Sequence, residues 1–136
     1  MKIALLGYGK MGKVIEKIAL ERGHSIVLKK SSTGSFEGLK NADVAIDFSV
    51  PDSAVTHISE CLNNNIPVIS GTTGWLDNYE KMVELCKINT GSFIYSSNFS
   101  LGVNVFFELN DYLAKMMHNL KQYNASMEEI HHTQKL

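Results

Sequence analysis

Ile3-Ala4-Leu5-Leu6-Gly7-Tyr8-Gly9-Lys10-Met11-Gly12 decides the fold. Residues 3–6 are a short apolar run that ends at a glycine, the pattern of a buried parallel strand. Beyond the glycines, Met11, Val14, Ile15, Ile18 and Ala19 recur at helical spacing. That spacing predicts one apolar helix face turned to the core. Gly23, beside the basic Arg22, ends the helix. The connecting loop has the form G-x-G-x-x-G, placed between a strand and a helix as that motif requires. Gly7 permits the tight turn. Gly9 removes the side chain that would hold a diphosphate away. Gly12 lets the helix pack closely on the strand. The helix N-terminus then presents N–H groups and a positive dipole end to an anion.

Outward from this unit the same alternation continues. Residues 25–28 form a second apolar run. The polar stretch over residues 29–41 holds Gly34 and Gly38, and at most one helical turn is expected there. Residues 43–48 read as a third strand. Pro51 starts a helix with Ala54, Val55, Ile58, Cys61 and Leu62 inward, and Asn63-Asn64-Asn65 ends it. Residues 66–70 and 92–96 are two more strands, with a helix through Tyr79, Met82, Val83 and Cys86 between them. A long helix over residues 102–120 carries Phe106, Leu109, Leu113, Met116, Met117 and Leu120 on one face. Residues 125–130 are expected to begin a further strand. Strands alternating with helices predict an α/β fold, a doubly wound, Rossmann-type parallel sheet covered on both faces.

Composition sets the limits. The chain has 136 residues, 44% of them hydrophobic, and a net charge of −1. One domain of this size can bury about two thirds of its unfolded surface. No strong field points toward nucleic acid or an anionic membrane. No apolar run approaches the roughly 18 residues of a membrane span, and no signal peptide opens the chain. Cys61 and Cys86 lack metal spacing and read as buried thiols of a cytoplasmic protein; no metal site is expected.

Ligands of open α/β sheets sit outside the carboxyl ends of the strands. Three loops fall there besides the glycine loop. Phe48-Ser49 ends strand three, Gly71-Thr72-Thr73-Gly74 ends strand four, and Ser96-Ser97-Asn98-Phe99-Ser100 ends strand five. Together they are suited to the nicotinamide half of a dinucleotide site. Trp75 and Tyr79 are expected to pack the start of a helix. At the end of strand two, about 20 residues past the glycine loop, an acidic residue would hold a ribose 2′-hydroxyl. Lys29, Lys30 and Ser31 stand there instead, with Ser32 beside them. Two lysines and two serines either solvate the strand end or suit a 2′-phosphate, so NADPH is expected to be accepted, the cofactor being NADPH or NADH.

Near the end, His131, His132 and Lys135 read either as a solvated tail or as the cationic groups a reductase needs. Such groups hold substrate carboxylates and donate a proton to the electron-rich product of hydride addition.

Five stretches in this order resemble the dihydrodipicolinate reductase family. They are Gly7-Tyr8-Gly9-Lys10-Met11-Gly12, Ala45-Ile46-Asp47-Phe48-Ser49, Gly71-Thr72-Thr73-Gly74, Ser97-Asn98-Phe99-Ser100-Leu101-Gly102-Val103-Asn104 and Glu129-Ile130-His131-His132-Thr133-Gln134-Lys135. The glycine loop is shorter than in many members, and Lys10 stands in place of an arginine. The resemblance implies a cofactor domain over residues 1–100 and the first helix and strand of an incomplete substrate domain over residues 101–136. It implies that Gly7, Gly9, Lys10 and Met11 hold the diphosphate. Gly71, Thr72 and Thr73, with Ser97, Asn98 and Phe99, would line the nicotinamide end. His131 and Lys135 would be catalytic. His132, with Thr73, would contact a cyclic imine dicarboxylate, and the enzyme would be a homotetramer. It also implies that residues 1–136 are the N-terminal portion of a longer enzyme, inactive alone. Two other readings stay open: a non-catalytic, redox-sensing dinucleotide module, and another small-molecule dehydrogenase of the same fold.

Overall fold

A computed structural model describes residues 1–130. It divides the chain into two units, Met1–Phe99 and Ser100–Leu136, and each is taken by itself.

The first unit is a five-stranded parallel sheet in the order β2-β1-β3-β4-β5. The strands are β1 (Lys2–Leu6), β2 (Ser25–Lys30), β3 (Val44–Asp47), β4 (Val68–Ser70) and β5 (Phe93–Tyr95). The helices are α1 (Lys10–Glu21), α2 (Pro51–Asn63) and α3 (Tyr79–Ile88). The strand order reverses between β1 and β3, and such a switch point is where doubly wound sheets open a crevice. The expected helical turn after β2 is a 3₁₀ turn at Leu39–Asn41.

The core divides as a sheet covered on two faces should. One face holds Ala4, Leu6, Ala45 and Val68 with Ala54, Ile58, Cys61 and Leu62 of α2. These four α2 positions are among those expected inward. Trp75 is buried against Tyr79, Phe93 and Tyr95, as expected of a packing residue, and its indole N–H donates to the Thr72 carbonyl at 2.7 Å. The other face holds Ile3, Leu5 and Ala19. There the expected helix stripe is half right. Gly12 and Ala19 are buried and Ile15 packs beside them, but Met11, Val14 and Ile18 are 43–49% exposed. A helix seated through a glycine and an alanine lies close to the sheet, and only a narrow stripe fits beneath it.

β2 runs two residues beyond the expected end. Leu5 and Leu6 of β1 pair with Lys29 and Lys30, so the backbone ladder continues although the side chains turn basic. Burial drives Cys61 the other way from reactivity. With Asp47 and Glu60 adding to it, desolvation pushes the thiol up to about 12. Alkylation of the folded protein at mildly alkaline pH is therefore expected to leave Cys61 unmodified until denaturant is added. Mass-spectrometric mapping checks this; rapid labelling of native Cys61 would contradict it.

The second unit is one helix, α4 (Leu101–Met117), followed by an irregular segment. Ser100 caps it, its hydroxyl accepting from the Val103 N–H at 3.4 Å. No residue of α4 is buried. The expected strand over residues 125–130 does not form; these residues are irregular and exposed. A strand exists by pairing, and among the described residues nothing pairs with this segment.

Candidate functional site

The carboxyl ends of the strands come together as one crevice. Gly7 has φ +90°, and a side chain on it would strike the Phe48 carbonyl and come 2.7 Å from the Ser49 Cα. Residue 7 must therefore be glycine for β1 and β3 to approach here. A Cβ on Gly12 would strike the Gly7 carbonyl, which accounts for the close seat of α1. A Cβ on Gly9 would meet nothing within 4 Å. That glycine faces open space, the arrangement that admits a diphosphate. No side chain caps the α1 N-terminus and no acid lies in its first turn. The fit to a dinucleotide is thus built into the loop itself.

Gly7, Tyr8, Gly9, Ser31, Phe48 and His57 are among the residues lining a cleft of about 340 Å³. Met11, Gly71, Thr72 and Thr73 line a second cleft of about 250 Å³, which shares Phe48 and Ser49 with the first. Phe48 is the hinge between them. Its ring occupies the space a Cβ on Gly71 would need, and it lies 6.2 Å from the Phe99 ring. The loops after β1, β2, β3 and β4 line these two clefts, and the loop after β5 brings Phe99 beside Phe48. In the last of them the Ser96 hydroxyl donates to the Asn98 carbonyl at 2.7 Å, and Ser97 is exposed. Lys10 opens α1. His131, His132 and Lys135 lie outside the described residues.

The two lysines at the end of β2 are placed differently from the expectation. Lys30 is 7% exposed. Its ammonium donates to the Gly34 and Ser31 carbonyls and lies 4.7 Å from the centroid of the Phe36 ring. Lys29 pairs with Glu16 of α1 at 2.6 Å and lies 5.3 Å from the centroid of the Tyr8 ring. Tyr8 donates its hydroxyl proton to the same carboxylate. The hydrogen bonds from Lys29 and then Tyr8 hold the Glu16 carboxyl below its ordinary value, and the bond to Glu16 raises both donors. Of the two, only Lys30 lines the cleft. Both ammonium groups are committed to protein partners.

Beneath the loops lies a feature that the spacing of motifs did not reveal. Asp47, at the end of β3, is fully buried. It accepts four hydrogen bonds: Ser49 Oγ at 2.7 Å and His57 Nδ1 at 2.9 Å on one oxygen, Thr72 Oγ1 at 2.7 Å and Ser70 Oγ at 2.8 Å on the other. A carboxylate only accepts, so His57 Nδ1 carries the proton. Thr72 Oγ1 in turn accepts from the Ser49 N–H at 2.8 Å. One acid therefore ties together the β3 loop, the β4 loop and α2. The signal was present in the sequence: a lone acid closing the otherwise apolar run Val44-Ala45-Ile46.

The family model "Dihydrodipicolinate reductase, N-terminus" matches residues 1–99. This chain belongs to that family. A curated relative from Christiangramia forsetii, named 4-hydroxy-tetrahydrodipicolinate reductase, is 56% identical over all of this chain and 58% of its own length. One of the same name from Neisseria meningitidis serogroup B is 28% identical over all of this chain and 59% of its own. This member of the family thus spans less than two thirds of the length of these relatives. Among solved structures, a mutant hyperthermophilic archaeal homoserine dehydrogenase in complex with NADPH has a TM-score of 0.56. It is 17% identical and covers 71% of this chain and 43% of its own. A putative homoserine dehydrogenase from Archaeoglobus fulgidus also gives 0.56, at 19% identity over 70% of this chain and 42% of its own. At such identity these two show the shared Rossmann-type fold of the reductase family's N-terminal domain.

Proposed function

We propose that the whole protein is an NAD(P)H-dependent reductase of a cyclic imine dicarboxylate, 4-hydroxy-tetrahydrodipicolinate or its dehydrated form, in lysine and diaminopimelate biosynthesis in the cytoplasm. The observation that carries this reading is that the loops after β1, β2, β3 and β4 line two adjoining clefts, in a chain whose family bears the name of that reductase. Residues 1–100 form the cofactor domain, and residues 101–136 begin the substrate domain. The uncovered apolar side chains of α4, among them Phe106, Leu109 and Leu113, support that division, since a helix of this composition needs partners. The enzyme is a homotetramer joined through the substrate domain.

The reduced nicotinamide supplies a hydride, and that chemistry belongs to the cofactor. The chain binds and orients. Gly7, Gly9, Lys10 and Met11 hold the diphosphate at the α1 N-terminus. Phe48, Gly71, Thr72, Thr73, Ser97, Asn98 and Phe99 line the nicotinamide end. Hydride addition leaves an electron-rich ring that takes up one proton, and Lys135, aided by His131, donates it. His132 and Thr73 hold a carboxylate. Tyr8, Ser31 and Lys30 border the adenosine end, and both NADPH and NADH are accepted.

Steady-state oxidation of NADPH by the whole protein tests this. Turnover with the dihydrodipicolinate precursor is expected, and none is expected from residues 1–136 alone. Tight NADPH binding without turnover of this substrate would overturn the reading in favour of a sensor or a different dehydrogenase.

A further inference from the structure

The cluster on the outer side of the β2 end has a consequence for cofactor choice, and it rests on the dinucleotide reading above. An adenosine 2′-substituent lies at the end of the second strand in this fold. A 2′-phosphate there calls for a cation free to meet it. The β2 end carries two lysines, yet neither cation is free. Lys30 is spent on two carbonyls of its own turn, under the Phe36 ring. Lys29 is 45% exposed at its side chain and within reach of the Tyr8 ring, which lines the cleft. What withholds Lys29 is Glu16, in the second turn of α1, at 2.6 Å. Tyr8 fixes that carboxylate from the other side with its hydroxyl.

We propose that Glu16 is a specificity-determining residue: by pairing Lys29 beside the cleft it weakens recognition of a 2′-phosphate and keeps NADH competitive with NADPH. The Lys29–Glu16 pair is neutral as a unit and offers a phosphate dianion no net attraction. Removing the carboxylate charge leaves one flexible ammonium at the strand end. That ammonium lies 5.3 Å from the centroid of the Tyr8 ring, and Tyr8 lines the cleft. A 2′-hydroxyl, lacking charge, gains nothing from that release.

The test is the ratio of NADPH to NADH affinity, measured by fluorescence titration on the whole protein. Glu16→Gln is expected to raise the ratio roughly five- to tenfold, the effect of one added charge-assisted contact at a partly exposed site. Adding Lys29→Gln to that variant should return the ratio to within about twofold of the starting protein. Because the readout is a ratio within one sample, a general loss of stability does not move it. A ratio unchanged in Glu16→Gln would overturn the proposal, as would a gain that survives the loss of Lys29. Failure of the unaltered protein to bind either nucleotide would overturn the dinucleotide reading itself, and the proposal with it.

Discussion

Replacing Asp47 with alanine is expected to lower the melting temperature by roughly 15–30 °C. The carboxylate accepts hydrogen bonds from Ser49, His57, Ser70 and Thr72 and is itself fully buried. Removing it strands the buried donors His57, Ser70 and Thr72 and takes one partner from the half-buried Ser49. Stranding one buried polar group costs about 1–3 kcal/mol, and breaking a buried charged network by removing one partner costs about 3–5 kcal/mol. Against a total of about 5–15 kcal/mol for a domain, that is a large share. Asp47→Asn keeps one accepting oxygen and places an amide donor against two groups that must then turn. It should lie between alanine and the natural residue. The damage should also reach binding, because the same oxygens set the positions of the Ser49 and Thr72 loops on the crevice. Calorimetric melting with and without NADPH checks both parts. An alanine variant melting within about 3 °C of the unaltered protein would show that the network is dispensable.

Replacing Lys135 with alanine is expected to cut turnover about 10²- to 10⁴-fold while changing NADPH affinity little. The argument is chemical. Hydride addition builds negative charge on the substrate ring, and the barrier falls when a positioned acid supplies the proton as that charge develops. The diphosphate and nicotinamide contacts proposed for the strand-end loops do not involve Lys135, so binding should survive its loss. Presteady-state and steady-state rates, set beside a binding titration, separate the two. Equal losses in turnover and cofactor affinity would count against Lys135 as the acid.

How much of this was legible in the sequence follows from which interactions are local. The glycine loop was, because a tight turn, a close approach and a helix start each impose a residue type at a fixed offset. The five strands and the inward face of α2 were, because burial writes itself into periodicity. Lys29 and Lys30 were placed at the right strand end, but their commitments to Glu16, Gly34 and Phe36 were not, since such pairings depend on how α1 and the following turn pack on β2. The exposed flank of Met11, Val14 and Ile18 shows the same limit: spacing identifies an apolar stripe but not how wide a groove receives it. Asp47 was hidden for a related reason. Its partners Ser49, His57, Ser70 and Thr72 are ordinary turn and helix residues in sequence, and only the parallel register that sets Asp47 beside Ser70 makes them a network. Residues 125–130 failed in the opposite sense. The segment Ala125-Ser126-Met127-Glu128-Glu129-Ile130 carries one β-branched residue, and a sequence does not state whether a pairing edge exists.

A nicotinamide dinucleotide is expected to bind in the adjoining clefts at the carboxyl ends of β1, β2, β3 and β4. Amide chemical-shift mapping of the isotopically labelled whole protein, titrated with NADPH, tests it most directly. Saturable shifts concentrated at Gly7, Gly9, Ser31, Phe48, Thr72 and Asn98 are expected. Shifts confined to another part of the molecule, or none at saturating nucleotide, would contradict it.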